Sequence, residues 1–89
     1  MHNMPDLSKF TRHPQDMITV GDHVFELSTH EWATERSPDR SRWYTDVVLL
    51  NRRGGRTNTK TRVEFTTYPE SARQRKRLHA AAVALSRGL

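Results

Sequence analysis

The chain predicts an α+β fold: a small antiparallel β-sheet of three or four strands, built from two hairpins, with one C-terminal α-helix packed on one face. Three observations carry this prediction. Two glycine-centred turn signals, Gly21-Asp22 and Gly54-Gly55, each separate a pair of β-prone runs. Between those hairpins, residues 43–51 (WYTDVVLLN) are apolar on both strand faces. After residue 70 the apolar residues recur at helical rather than alternating spacing.

Residues 1–15 contain two prolines and no sustained period, so they are expected to form an irregular arm ahead of a single domain spanning 16–89. The first strand is MITV, residues 17–20. Gly21-Asp22 offers glycine first, as a type II′ or I′ hairpin turn prefers. In the run HVFELSTHEW, Phe25, Leu27 and Thr29 share one face, while Glu26, Ser28 and His30 share the other. That pattern reads as a half-buried strand.

Residues 34–42 (TERSPDRSR) read as a polar connection with a turn at Pro38-Asp39. In the next strand Trp43, Val47 and Leu49 fall on one face and Tyr44, Val48 and Leu50 on the other. A strand apolar on both sides is central, or it keeps one face for a partner. Residues 51–60 are expected to join it to a closing strand, TRVEFTT, with Val63 and Phe65 inward. Tyr68-Pro69-Glu70-Ser71 reads as a helix entrance, with proline at the first helical position and an acid in the first turn. The helix should run to about residue 86, with Gly88 ending it. Leu78, Ala81, Ala82 and Leu85 then make one stripe, and Arg73, Lys76 and Arg87 point away from it. The order is ββββα, or βββα if MITV is too short to pair.

Charge is unevenly distributed. The net charge is +5, but residues 52–89 hold ten Lys/Arg against two acids, a balance of +8, whereas residues 1–51 hold five against eight, a balance of −3. A positive field confined to one half suits a polyanion partner. Two groups of cations form it. Arg52, Arg53, Arg56, Lys60 and Arg62 are expected to project from the tip of a β-ribbon, where arginines can clamp phosphates or read guanine edges. Arg73, Lys76 and Arg77 are expected to form a second patch on the exposed helix side. The sequence therefore predicts a small non-enzymatic nucleic-acid-binding accessory or regulatory protein, with DNA and RNA both open.

A second reading uses the same features differently. A protein-binding inhibitor or adaptor, of the kind mobile genetic elements encode, would dock through a bare sheet face carrying Trp43, Val47 and Leu49, or through its basic surface. The opposed charges of the two halves also allow head-to-tail self-association. Burial of Trp43, Val47 and Leu49 within the monomer would remove the first of these surfaces.

Other classes find little support. The chain has no cysteine, which removes disulfides, thiolate metal sites and cysteine nucleophiles together. His23 faces away from Glu26 and His30 on a strand, leaving two candidate ligands on one side and no metal site. Neither a carboxylate pair nor a histidine with an orienting acid has the spacing of a catalytic template, so no catalytic residue and no cofactor is assigned. Trp32, Trp43, Tyr44 and Tyr68 could stack on unpaired bases, in competition with the demands of the core. No apolar run reaches membrane-spanning length, and the first residues lack the order of a signal peptide, so a cytoplasmic protein is expected.

Overall fold

A computed structural model describes residues 16–34 and 37–89, so the expected arm at 1–15 lies outside the described residues. Four strands, β1 (Met17–Val20), β2 (His23–Thr34), β3 (Ser37–Leu50) and β4 (Arg56–Phe65), precede one helix, α1 (Ala72–Arg87). Every neighbouring pair is antiparallel and the spatial order is β1-β2-β3-β4. MITV does pair: Val20 lies opposite His23 across a two-residue turn in which Gly21 takes φ +58°. Asp22 keeps a negative φ, the type II′ pattern.

Strand alternation divides the side chains into two layers. Odd-numbered positions of β2, β3 and β4, and even-numbered ones of β1, meet the helix: Phe25, Leu27, Val47 and Phe65 form the core with Leu78 and Ala82 of α1. Ile18, Val20, Trp43, Leu49, Val63, Ala81 and Leu85 pack around it. Thr45 is buried in this layer, and its hydroxyl is satisfied by Thr29 Oγ1 on β2 at 2.8 Å. Even-numbered positions of β2, β3 and β4 occupy the other face. There Val24, Val48 and Leu50 are also buried, as the two-sided apolar pattern of the central strand requires.

The structure corrects four expectations. Residues 37–42 are not a connection with a turn at Pro38-Asp39; they belong to β3, and Thr34 pairs with Ser37. Alternation was lost from the polar text there, yet extension of the hairpin satisfies backbone groups that a loop would leave to water. β4 begins at Arg56 rather than at the expected residue 61 and ends at Phe65. Of the two glycines at the second hairpin, only Gly54 has positive φ. Finally, the helix starts at Ala72, with no acid in its first turn. Ser71 is the N-cap: its Oγ accepts from Gln74 N at 3.1 Å, while Gln74 Oε1 accepts from Ser71 N at 3.0 Å. This reciprocal capping box satisfies N–H groups that a proline at the first helical position would not. Gly88 is the C-cap, as expected.

Among the described residues no helix is long and apolar enough to cross a membrane.

Leu78 is the largest buried side chain of α1, at 1% exposure. Leu78→Ala should lower unfolding free energy by about 3 kcal/mol through lost burial and a residual cavity. Urea denaturation checks this, with an unchanged m-value expected.

Candidate nucleic-acid interface

The hairpin tip is built on Asn51. Its backbone N–H donates to Gly55 O at 2.8 Å, and its carbonyl accepts from Gly54 N at 3.0 Å. Its side-chain Oδ1 accepts from both Arg53 N and Gly55 N at 2.9 Å. The tip is therefore a three-residue loop, a turn followed by Gly54 at φ +84°, the arrangement in which a left-handed residue closes the ladder. A Cβ at Gly55 would meet Asn51 Nδ2 at 3.0 Å, so the second glycine serves the close approach of that amide. Arg52 and Arg53 occupy the exposed corner. Only these two of the five expected hairpin cations stand at the tip.

Arg56, Lys60 and Arg62 lie along the body of β4. Its burial alternates without interruption, even-numbered residues exposed and odd-numbered ones half-buried or buried. The β3–β4 register slips between Val48↔Lys60 and Leu50↔Arg56, two steps on β3 against four on β4. An even excess preserves parity, so all three cations remain on the face away from α1. Thr57 spans the irregularity, donating its hydroxyl to Leu49 O at 2.8 Å and accepting from Thr59 N at 3.2 Å.

Two of these three cations are already engaged. Arg62 Nε donates to Asp46 Oδ1 at 2.9 Å, and its guanidinium lies 4.0 Å from the Tyr44 ring centroid. The hydrogen bond to Asp46 raises the Arg62 pKa above its ordinary value. Arg56 Nη2 stands 2.6 Å from Glu26 Oε1. Glu26 itself is 2% exposed, where the alternation had placed it on the half-buried strand's outer face. It sits on the same face as Val24, Val48 and Leu50, so Arg56 supplies the opposite charge that burial of a carboxylate demands. Lys60 is exposed.

The helix cations occupy a different place. Arg77 lies against β4: its guanidinium carbon is 4.8 Å from the Phe65 ring centroid, and Nη1 donates to Glu64 O at 3.3 Å. Arg73 and Lys76 are exposed on the same helix. Arg73 and Arg77 border an open hollow of about 650 Å³ also lined by Arg42, Glu64, Phe65 and Gln74. Arg42 was absent from the expected interface, because the residues around it read as connection rather than strand.

The hairpin and helix groups therefore do not merge into one flat patch. They face opposite sides of the sheet and meet at the open edge of β4, where Arg62 and Arg77 border a common depression. From Arg56 to Phe65, nine steps of about 3.3 Å give a run of roughly 30 Å. Among the described residues, Arg52, Arg53, Lys60, Arg73 and Lys76 form no ion pair.

The alternative surface fares differently. Val47 is fully buried, and Trp43 and Leu49 pack against the core under α1. Trp43 also meets Tyr68 edge-on, with ring centroids 5.1 Å apart and planes at 88°. These three side chains do not form a bare sheet face. His30 is hydrogen-bonded to Ser28 and Glu26 is paired with Arg56, and no group of three potential metal ligands occurs among the described residues.

Comparison with protein-family models, curated proteins and solved structures finds no match for this chain.

Asn51→Ala removes the acceptor shared by Arg53 and Gly55. Its expected effect is a loss of about 1 kcal/mol of stability, with faster amide exchange at Arg53 and Gly55. Asn51→Asp keeps the acceptor and should retain slow exchange at both positions, measured by NMR.

Proposed function

We propose that this is a small non-enzymatic nucleic-acid-binding accessory or regulatory protein that holds phosphates along the open edge of β4. The observation that carries this reading is a set of five cations, Arg52, Arg53, Lys60, Arg73 and Lys76, that form no ion pair among the described residues and run from the hairpin tip to the start of the helix. Such cations bind a polyanion by releasing its condensed counterions, and that gain is greatest where no protein carboxylate has already neutralised the charge. Arg56 and Arg62 contribute less, since Glu26 and Asp46 hold them. Arg77, stacked on Phe65 and anchored to Glu64 O, keeps further N–H donors in a fixed plane suited to a phosphate.

The length of the edge sets the footprint. A run of roughly 30 Å corresponds to about nine nucleotides at 3.4 Å per step. No catalytic role is proposed: Glu26 and Asp46 are each held by an arginine. Docking of a protein on Trp43, Val47 and Leu49 is not supported, because α1 lies over that layer.

Fluorescence anisotropy with random-sequence oligonucleotides, across roughly 50 to 200 mM salt, tests the proposal. Five phosphate contacts give a log–log slope of about −3.5 on a single strand and −4.5 on a duplex. The double variant Arg52→Ala/Arg53→Ala should make that slope shallower by about 1.4 on a single strand and about 1.8 on a duplex. Arg62→Ala should change it less. Absence of binding at the low-salt end, or a slope that the double variant leaves unchanged, contradicts the assignment.

A further inference from the structure

The helix-free face of the sheet carries a second set of chemistry that phosphate binding does not use. Three aromatic side chains, Trp32, His30 and Tyr44, share this face with Arg62: His30 lies opposite Tyr44 and Arg62 opposite Asp46, while Trp32 is paired with Arg42, which also borders the hollow beside Arg73 and Arg77. Trp32 is 54% exposed. A tryptophan left in water forgoes the burial that ordinarily places this residue in a core, so its position invites a partner.

His30, Tyr44 and Arg62 form a row of flat groups across three strands. The His30 and Tyr44 rings are 5.3 Å apart and tilted by 30°, and the Arg62 guanidinium carbon is 4.0 Å from the Tyr44 centroid. Each end of the row is fixed from outside. Ser28 Oγ lies 2.8 Å from His30 Nε2, and Asp46 takes Arg62 through two contacts, 2.9 and 3.4 Å. Such a row is ordered before any ligand arrives, which lowers the entropy lost on binding. Both end groups are exposed, while Tyr44 between them is half-buried.

We infer that this face is a stacking platform for unpaired bases, and that the nucleic acid bound is single-stranded. The inference rests on the nucleic-acid reading above and deepens it. Every base has a π-face, and aromatic side chains and arginine planes receive it when the base is free of a duplex stack. Trp32 and His30, two residues apart on β2, are separated by about 7 Å. That is twice the 3.4 Å rise per nucleotide of a stacked strand, so the two rings serve separate bases of an extended chain. Arg42 beside Trp32, and Lys60 two residues along β4 from Arg62, place cations where the sugar-phosphate backbone passes. A duplex keeps its base faces inside its own stack and can use the cations alone.

Tryptophan fluorescence separates the two arrangements, since Trp43 is packed beneath the helix and only Trp32 is open. Titration with oligo-dT of about ten nucleotides should quench the emission, and a random-sequence duplex of equal length should leave it nearly unchanged. Trp32→Phe should abolish the quench while keeping most of the affinity. Trp32→Ala should weaken single-strand binding about tenfold, with duplex binding unaffected. His30→Ala should act in the same direction. Equal affinity for both ligands, together with an unaltered Trp32→Ala variant, would overturn the stacking platform and leave the phosphate edge standing. Binding of neither ligand at 50 mM salt would overturn both.

Discussion

Seating α1 on the odd-numbered side of the sheet is the constraint from which the rest of the molecule follows. Leu78 and Ala82 enter the layer formed by Phe25, Val47 and Phe65, and strand alternation then dictates where every other side chain points. Odd positions of β3 and β4 are consumed by the core. Even positions must face the opposite side, and it is there that Arg56, Lys60 and Arg62 stand beside Tyr44 and His30. A register slip of odd length in β4 would have turned the cations of its first half into the core. The slip between Val48 and Leu50 is even, and Thr57 ties its backbone down.

The helix-free side is not uniform. At one end of β2 and β3 it is dry, with Val24, Val48 and Leu50 buried; at the other it is open, with Trp32 and His30 exposed. Glu26 lies in the dry half, and its pairing with Arg56 links β2 to the first residue of β4 across the central strand. Glu26 is buried while Arg56 is exposed, so the pair chiefly offsets the desolvation of the carboxylate and adds little net stability. Its effect is directional: it holds the base of the hairpin whose tip presents Arg52 and Arg53. The open half is left to Trp32, His30, Tyr44 and Arg62, so one face of one sheet both anchors the hairpin and displays a platform.

Much of this architecture is legible in the sequence. Alternation in residues 23–32 and 43–50, the glycines at the turns and the stripe Leu78, Ala81, Ala82, Leu85 specify the sheet, its central strand and the helix face that meets it. The extension of β2 and β3 through residues 34–42 is not legible, since polar text with a proline carries the same signal as a loop and only pairing distinguishes them. The cap at Ser71 had a readable mark, serine followed three residues later by glutamine, which the neighbouring Pro69 obscured. Burial of Glu26 had none: alternation gives the face of a residue, and what covers that face is a tertiary fact. The candidate cations were all identifiable by type. Their division into paired and unpaired, and their meeting at a strand edge rather than on a ribbon tip, depend on Glu26, Asp46 and the start of β4 at Arg56.

The claim at the centre of this account is that nucleic acid follows the open edge of β4, the helix-free face and the first turns of α1, while the later turns of α1 stay in water. Mapping backbone amide chemical shifts during titration with an oligonucleotide tests it most directly. The account predicts perturbation at Arg52, Arg53, Lys60, Arg62, Arg73, Lys76 and Arg77, with Val83 and Ala84 unmoved. Shifts concentrated on those two helix positions, or none anywhere at saturating oligonucleotide, would contradict it.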